Sequence, residues 1–174
     1  AAAFKDGKML GKVSGKKSYG NLISGKSFTV TPPIGGAKGD IFGENDVLGT
    51  DISTFGLTNG KRGNIASMTP WSGFRMNDAC NKLVFIVEFE QPTTVSKVVL
   101  GSLYNPASVI LPPSVATVET SSDGRKYDKM AEASFKRNYP ERGRKAFTDT
   151  LGFVPKEVKY IKITLQNGGT LRNG

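Results

Sequence analysis

A chain of 174 residues is long enough to bury a core without staples, and its single cysteine, Cys80, excludes an internal disulfide. It contains no histidine, so the commonest neutral-pH general base and metal ligand is missing, which argues against an autonomous enzyme. A net charge of +9 raises nucleic acid as a partner. The cations are scattered, however, as Lys16-Lys17, Lys61-Arg62, Arg125-Lys126, Lys136-Arg137 and Arg142-Arg144-Lys145, with no nucleic-acid motif around them, so no nucleic-acid partner is expected.

Residues 1–13 (AAAFKDGKMLGKV) read as two short strands about an Asp6-Gly7 turn, and residues 14–24 as a polar connector. This opening lacks the basic start and apolar stretch of a signal peptide and looks like the middle of a longer chain. KSFTVTPP (26–33) is a strand with Phe28 and Val30 inward, ended by Pro32-Pro33. Residues 34–56 hold six glycines and a group of acidic residues without either period, which predicts a long loop of the kind usually functional or pinned. LTNGKRG (57–63) and TPWSGF (69–74) follow, the latter with the only tryptophan, Trp71.

The clearest signal lies at 83–124. Leu83, Phe85, Val87 and Phe89 alternate at period two, as do Val98 and Leu100, then Ala116 and Val118. Gln91-Pro92, Asn105-Pro106, Pro112-Pro113 and Asp123-Gly124 supply turn chemistry between them. Further strands are predicted around Tyr127–Ala131, over Ala146–Phe153, and over Val158–Leu165, where Ile161, Ile163 and Leu165 share a face. No run is long and apolar enough to span a membrane. About eight short strands with Gly/Pro turns predict an all-β, two-sheet antiparallel β-sandwich of jelly-roll type.

GKSFTVTPP (25–33), LTNGKRG (57–63), PWSGF (70–74), LVFIVEFEQPTTVSKVVLGSL (83–103), ILPPSVATVETSSDGRKY (110–127) and KYIKITLQNGG (159–169) occur in an order that resembles the discoidin, or coagulation-factor type C, domain. That domain is a galactose-binding-like jelly roll. The form is similar to the domain at the C-terminus of bacterial β-N-acetylhexosaminidases of glycoside hydrolase family twenty, and residues 1–13 resemble the end of the chitobiase-type sandwich that precedes it. The resemblance therefore divides the chain into a remnant of a preceding domain or a leading hairpin (1–13), a connector (14–24) and a discoidin-like sandwich (25–174) that lacks its last strand. It implies an accessory, non-catalytic domain of a secreted or periplasmic glycosidase, with a glycan or the parent's catalytic domain as partner. The alternative is a stand-alone adhesion module for surface glycans or proteins. Three departures stand out: the family's catalytic barrel with its Asp-Glu pair is not represented, the usual Asp of the LTDG turn is Asn59, and the last strand is absent.

No motif pairs two carboxylates across a cleft, as glycoside hydrolysis requires, so no catalytic residue is expected. The family often holds a structural calcium near the LTDG-type turn. The resemblance would give that ion the Asn59 amide, an Asp51 or Asp46 carboxylate and the Thr69 hydroxyl, and the alternative is a plain Asn59-Gly60 turn. Trp71 is either a sugar-stacking ring or, as the family's buried tryptophan suggests, a core residue. The resemblance places a bound glycan on loops at one end of the sandwich. The loop residues that combine rings with fork-like or amide donors are Phe74, Arg75, Asn77, Tyr104, Asn105, Tyr139 and Arg142. Cys80 reads as a small buried hydrophobe.

Overall fold

The computed structural model describes residues 2–5, 8–12, 21–31, 56–58, 63–66, 71 and 81–169. Strands β1 (Ala2–Lys5) and β2 (Lys8–Lys12) form the antiparallel hairpin expected of the opening segment. The remaining strands are β3 (Phe28–Thr31), β4 (Lys82–Tyr104), β5 (Val115–Ser121), β6 (Asp128–Ser134) and β7 (Lys145–Gln166). They pair antiparallel in the order β3-β4-β7-β5-β6. The fold is the all-β antiparallel sandwich that the alternation predicted, and among the described residues the only helical elements are two 3-10 turns.

One difference from the sequence reading is the continuity of β4 and β7. Gln91-Pro92 was expected to end one strand and start another, and Ala146–Phe153 to stand apart from Val158–Leu165. Instead each pair is one strand, of 23 and 22 residues. At about 3.3 Å per residue, either would run roughly 70 Å if straight, far beyond the usual strand. The ladder slips twice to prevent this. Between the Glu88–Tyr160 and Thr93–Val158 pairs, residues 89–92 oppose Lys159 alone, and between Val95–Lys156 and Lys97–Gly152, residues 153–155 oppose Ser96 alone. Pro92 and Pro155 sit in these bulges, where their missing N–H costs the ladder nothing. The bulges let the hairpin fold over, so one core unites Leu83, Phe85 and Ile163 from one half with Val98 and Leu151 from the other.

The register explains the core. Val30, Phe85, Ile163, Val118 and Ala131 form a row across all five strands, each a direct partner of the next. Phe28 meets Phe85 edge to face with ring centroids 6.1 Å apart. Ala116 and Val118 are fully buried on β5, as their alternation predicted. Each large side chain in such a row contributes about 1.5–3 kcal/mol by leaving water. The opposite face is polar: Lys162 pairs with Glu119 at 2.8 Å, and the Tyr160 hydroxyl donates to Glu88 at 2.9 Å. One apolar and one wetted face is the usual condition of an antiparallel sheet.

Candidate functional site

Two loops meet at one end of the sandwich, 105–114 after β4 and 135–144 between β6 and β7. Phe135 N–H donates to Ser114 O at 2.8 Å and joins them. The first loop is closed by a mutual backbone pair, Asn105 to Ile110 at 3.0 Å and Ile110 to Asn105 at 2.9 Å. Its Val109 takes φ 55°, a left-handed conformation that costs a β-branched residue strain, and yet the side chain is exposed to solvent.

The second loop continues the period-two alternation of β6 for a few residues, which turns Phe135 and Arg137 inward, leaves Lys136 and Asn138 exposed, and sets Tyr139 on the same side at the surface. Arg137 is the keystone of this end. Its guanidinium donates to both oxygens of Asp149, at 3.2 and 2.6 Å, and its side chain is only 5% exposed. It lies between two rings, 4.6 Å from the centroid of Phe135 and 4.5 Å from that of Phe147. This combines a bidentate ion pair with cation–π contact on both faces, the arrangement a planar guanidinium suits best.

On this base sits an aromatic stack. Tyr139 lies over Tyr104 with centroids 4.5 Å apart and planes 19° off parallel, and meets Phe147 at a right angle, 6.1 Å away. Tyr104 is buried, whereas Tyr139 is 37% exposed, so the inner ring supports the outer one at the surface. Burial raises the Tyr139 hydroxyl's pKa above its ordinary value, opposed by the nearby Arg137 charge and reinforced by Tyr104. Lys145, the ladder partner of Tyr104, donates to Asn138 O at 3.5 Å and holds its ammonium 5.1 Å from the Phe147 centroid.

Of the residues expected to contact a ligand, the structure therefore brings Tyr104 and Tyr139 into direct contact. Asn105 is buried, its amide donating to Ser108 Oγ at 3.0 Å, so it shapes the loop. Arg142 is exposed at the tip of the second loop. Phe74, Arg75 and Asn77 lie outside the described residues, as do the calcium candidates Asp46, Asp51, Asn59 and Thr69, and Cys80. Among the described residues no group of three or more potential side-chain ligands could hold a metal ion. Trp71 is half-buried rather than sunk in the core. Its indole N–H donates to Asn64 O at 2.8 Å, and its ring lies against Gly63, where an added Cβ would fall 2.2 Å from it, and near Gly101.

Sequence reasoning missed Arg137, Asp149, Phe147 and Lys145. The available signal was the alternation Phe135, Arg137, Tyr139, which sets a cation between two aromatics on one face. The acidic partner, on another strand, carries no local signal.

The opposite end, where 121–128 meets 156–158, holds a shallow cleft of about 180 Å³. Asp123 there accepts backbone N–H groups from Arg125 and Lys126 at 2.9 and 3.1 Å and the Ser121 hydroxyl at 2.9 Å, which together hold its carboxyl below the usual range. Lys156, 2.9 Å from Asp128, does the same for that carboxyl.

No family model matches the sequence, and no curated protein matches it. Solved structures do. Chitosan-binding module 1 of a chitosanase/glucanase from Paenibacillus sp. IK-5 superposes with a TM-score of 0.53 at 16% identity, covering 86% of this chain and 89% of that one. CBM32-5 from Clostridium perfringens, in complex with GalNAc-β-1,3-galactose, gives 0.44 at 15% identity, covering 81% and 84%. The C-terminal domain of a chitobiase from Bacteroides fragilis gives 0.32 at 17%, covering 53% and 55%. At such identities it is the fold that is shared: this chain is built as a β-sandwich like that of the Paenibacillus module.

Proposed function

We propose that this chain is a non-catalytic, carbohydrate-binding accessory domain of an extracellular glycoside hydrolase. The observation that carries this reading is Tyr139, a ring more than one-third exposed, held in place by Tyr104 and Phe147 where two loops meet at the end of a sandwich. A sugar offers one C–H face to such a ring and its hydroxyls to polar groups around it. The likeness in fold to a chitosan-binding module supports the reading. On the motif resemblance, the parent is a bacterial β-N-acetylhexosaminidase, secreted or periplasmic, that removes terminal N-acetylhexosamine from glycans with catalytic residues outside this chain. The domain then tethers that enzyme to its substrate or packs against its barrel. No helix among the described residues is long and apolar enough to cross a membrane.

Affinity electrophoresis of wild type and Tyr139→Ala through gels containing soluble glycans tests the reading. The expected result is retardation of the wild type by at least one glycan and its loss in the variant, with the melting temperature little changed. Equal migration of the two proteins in every gel overturns it.

A further inference from the structure

Resting on that reading, we propose that the sugar taken at this end is acidic: the surface around Tyr139 is built for a carboxylated or sulfated saccharide rather than a neutral or cationic one. The argument begins with the loop. Residues 136–145 (KRNYPERGRK) carry five basic residues against one acidic one. The Arg137 charge is matched by Asp149, whereas Lys136, Arg142, Arg144 and Lys145 are exposed, with Glu141 the one carboxylate in their segment.

Several cations elsewhere are paired. Lys26, Lys129, Lys156, Lys159 and Lys162 each lie within 3.5 Å of a carboxylate. Lys145 instead rests on a backbone carbonyl and a ring, neither of which neutralises it. Arg144 spends a guanidinium N–H on Ile65 O at 3.2 Å, again an uncharged acceptor. Arg142 forms no hydrogen bond or ion pair among the described residues.

Position decides between a solvated charge run and a site. Lys145 and Tyr139 both contact Phe147, one through its ammonium and the other through its ring. An aromatic face and a restrained ammonium with further N–H donors therefore flank the same side chain, and Arg142 lies three residues from Tyr139 in the chain. An acidic pyranose presents the complementary pair, an apolar C–H face and an anionic group at the ring edge. Arginine's fork accepts a carboxylate or a sulfate bidentately, and a lysine serves either as a point charge. A polycationic sugar would meet repulsion from both the loop and the +9 chain.

The experiment is calorimetric titration with three probes of equal length: a galacturonate oligosaccharide, the matching neutral galactose oligosaccharide and a sulfated galactose oligosaccharide. The acidic probes are expected to bind at least about tenfold tighter than the neutral one at about 0.1 M salt, the effect of one good charge-assisted hydrogen bond. The preference should shrink at about 1 M salt, where the screening length falls from about 10 to about 3 Å. Lys145→Gln and Arg142→Gln should each lower the preference several-fold, and Lys156→Gln, the same charge change at the other end, should leave it intact. The two acidic arms show which anion is preferred. Neutral binding as tight as acidic, still abolished by Tyr139→Ala, overturns this inference while sparing the carbohydrate-binding reading. If Lys156→Gln costs as much as Lys145→Gln, the attraction belongs to the whole chain and the site is rejected. No binding of any of the three probes overturns the inference, and retardation in the glycan gels then decides separately whether the carbohydrate-binding reading stands.

Discussion

The two ends of the sandwich solve the same problem, how to close loops over a core, by opposite means. At the Arg137 end the organising groups are large side chains: an ion pair between two phenyl rings, with a tyrosine stack above it. At the Asp123 end they are backbone N–H groups turned onto one carboxylate, with Gly124 at φ +73° letting the chain reverse. The first arrangement leaves a ring and several cations facing outward. The second consumes its carboxylate internally and pairs Lys156 with Asp128. A fixed scaffold with donors left over is suited to binding, and a turn that satisfies itself is suited to closing the chain.

The largest effect that could break this contrast is Arg137→Ala. It strips the half-buried Asp149 carboxylate of its partner and leaves a gap between Phe135 and Phe147. Loss of one member of a buried pair costs about 3–5 kcal/mol, and Asp149, 17% exposed, places this case near 3 kcal/mol. Urea unfolding should show it as a lower midpoint with an unchanged slope. Lys156→Ala, which opens the exposed pair at the other end, should barely move that midpoint. Comparable shifts for the two variants would erase the distinction between the ends.

Gly124→Ala comes next in size. An L-residue in the left-handed region costs roughly 1–2 kcal/mol, and the new Cβ would also approach the Tyr160 ring at 3.1–3.4 Å. Stability should fall by about that amount while glycan binding is unchanged, since the altered turn lies at the opposite end from Tyr139. A variant as stable as wild type would show that the turn relaxes without cost.

The sheet was legible because its signal is local and periodic. Phe85, Val118 and Ile163 announce their face by their neighbours two residues away, and the register then joins them in one row. The bends in β4 and β7 were half legible. Pro92 and Pro155 forbid ladder donors, but proline alone does not say whether a strand ends or bulges, and the partner strand decides that. Tyr104 and Tyr139 could be named as loop aromatics, yet their stacking depends on how two loops 30 residues apart close. Arg137 and Asp149 pair across strands, and a single arginine among aromatics reads the same whether it is solvated or sandwiched. Trp71 was read mainly as core because a lone tryptophan usually is. The structure instead leaves it half-buried, its ring against Gly63 and near Gly101, neighbours that carry no side chain to announce the contact in the sequence.

The smallest expected effect concerns acid. Asp123 is held below the usual carboxylate range first by the Arg125 N–H, then by those of Lys126 and the Ser121 hydroxyl. A carboxyl depressed in the folded state stabilises it fully above the unfolded pKa of about 4, and that contribution fades as pH falls through the folded value. Asp128, depressed by Lys156, and Glu90, depressed by Lys26, act in the same direction. Melting temperatures measured from pH 7 downward should therefore fall below about pH 4 in the wild type. In Asp123→Asn, which keeps an acceptor oxygen but cannot titrate, that fall should be shallower and the value at neutral pH slightly lower. The Arg137 end should respond at the other extreme: Tyr139, raised by burial, adds stability that is present below the unfolded tyrosine value of about 10 and lost as pH climbs through the folded one. Tyr139→Phe should make the alkaline limb shallower and leave the acid limb untouched. Tyr160, raised first by its hydrogen bond to Glu88, and Tyr127, raised first by burial, keep part of the alkaline fall at the other end. If Tyr139→Phe alters both limbs equally, the two ends are coupled through the core and are not the independent closures their contacts describe.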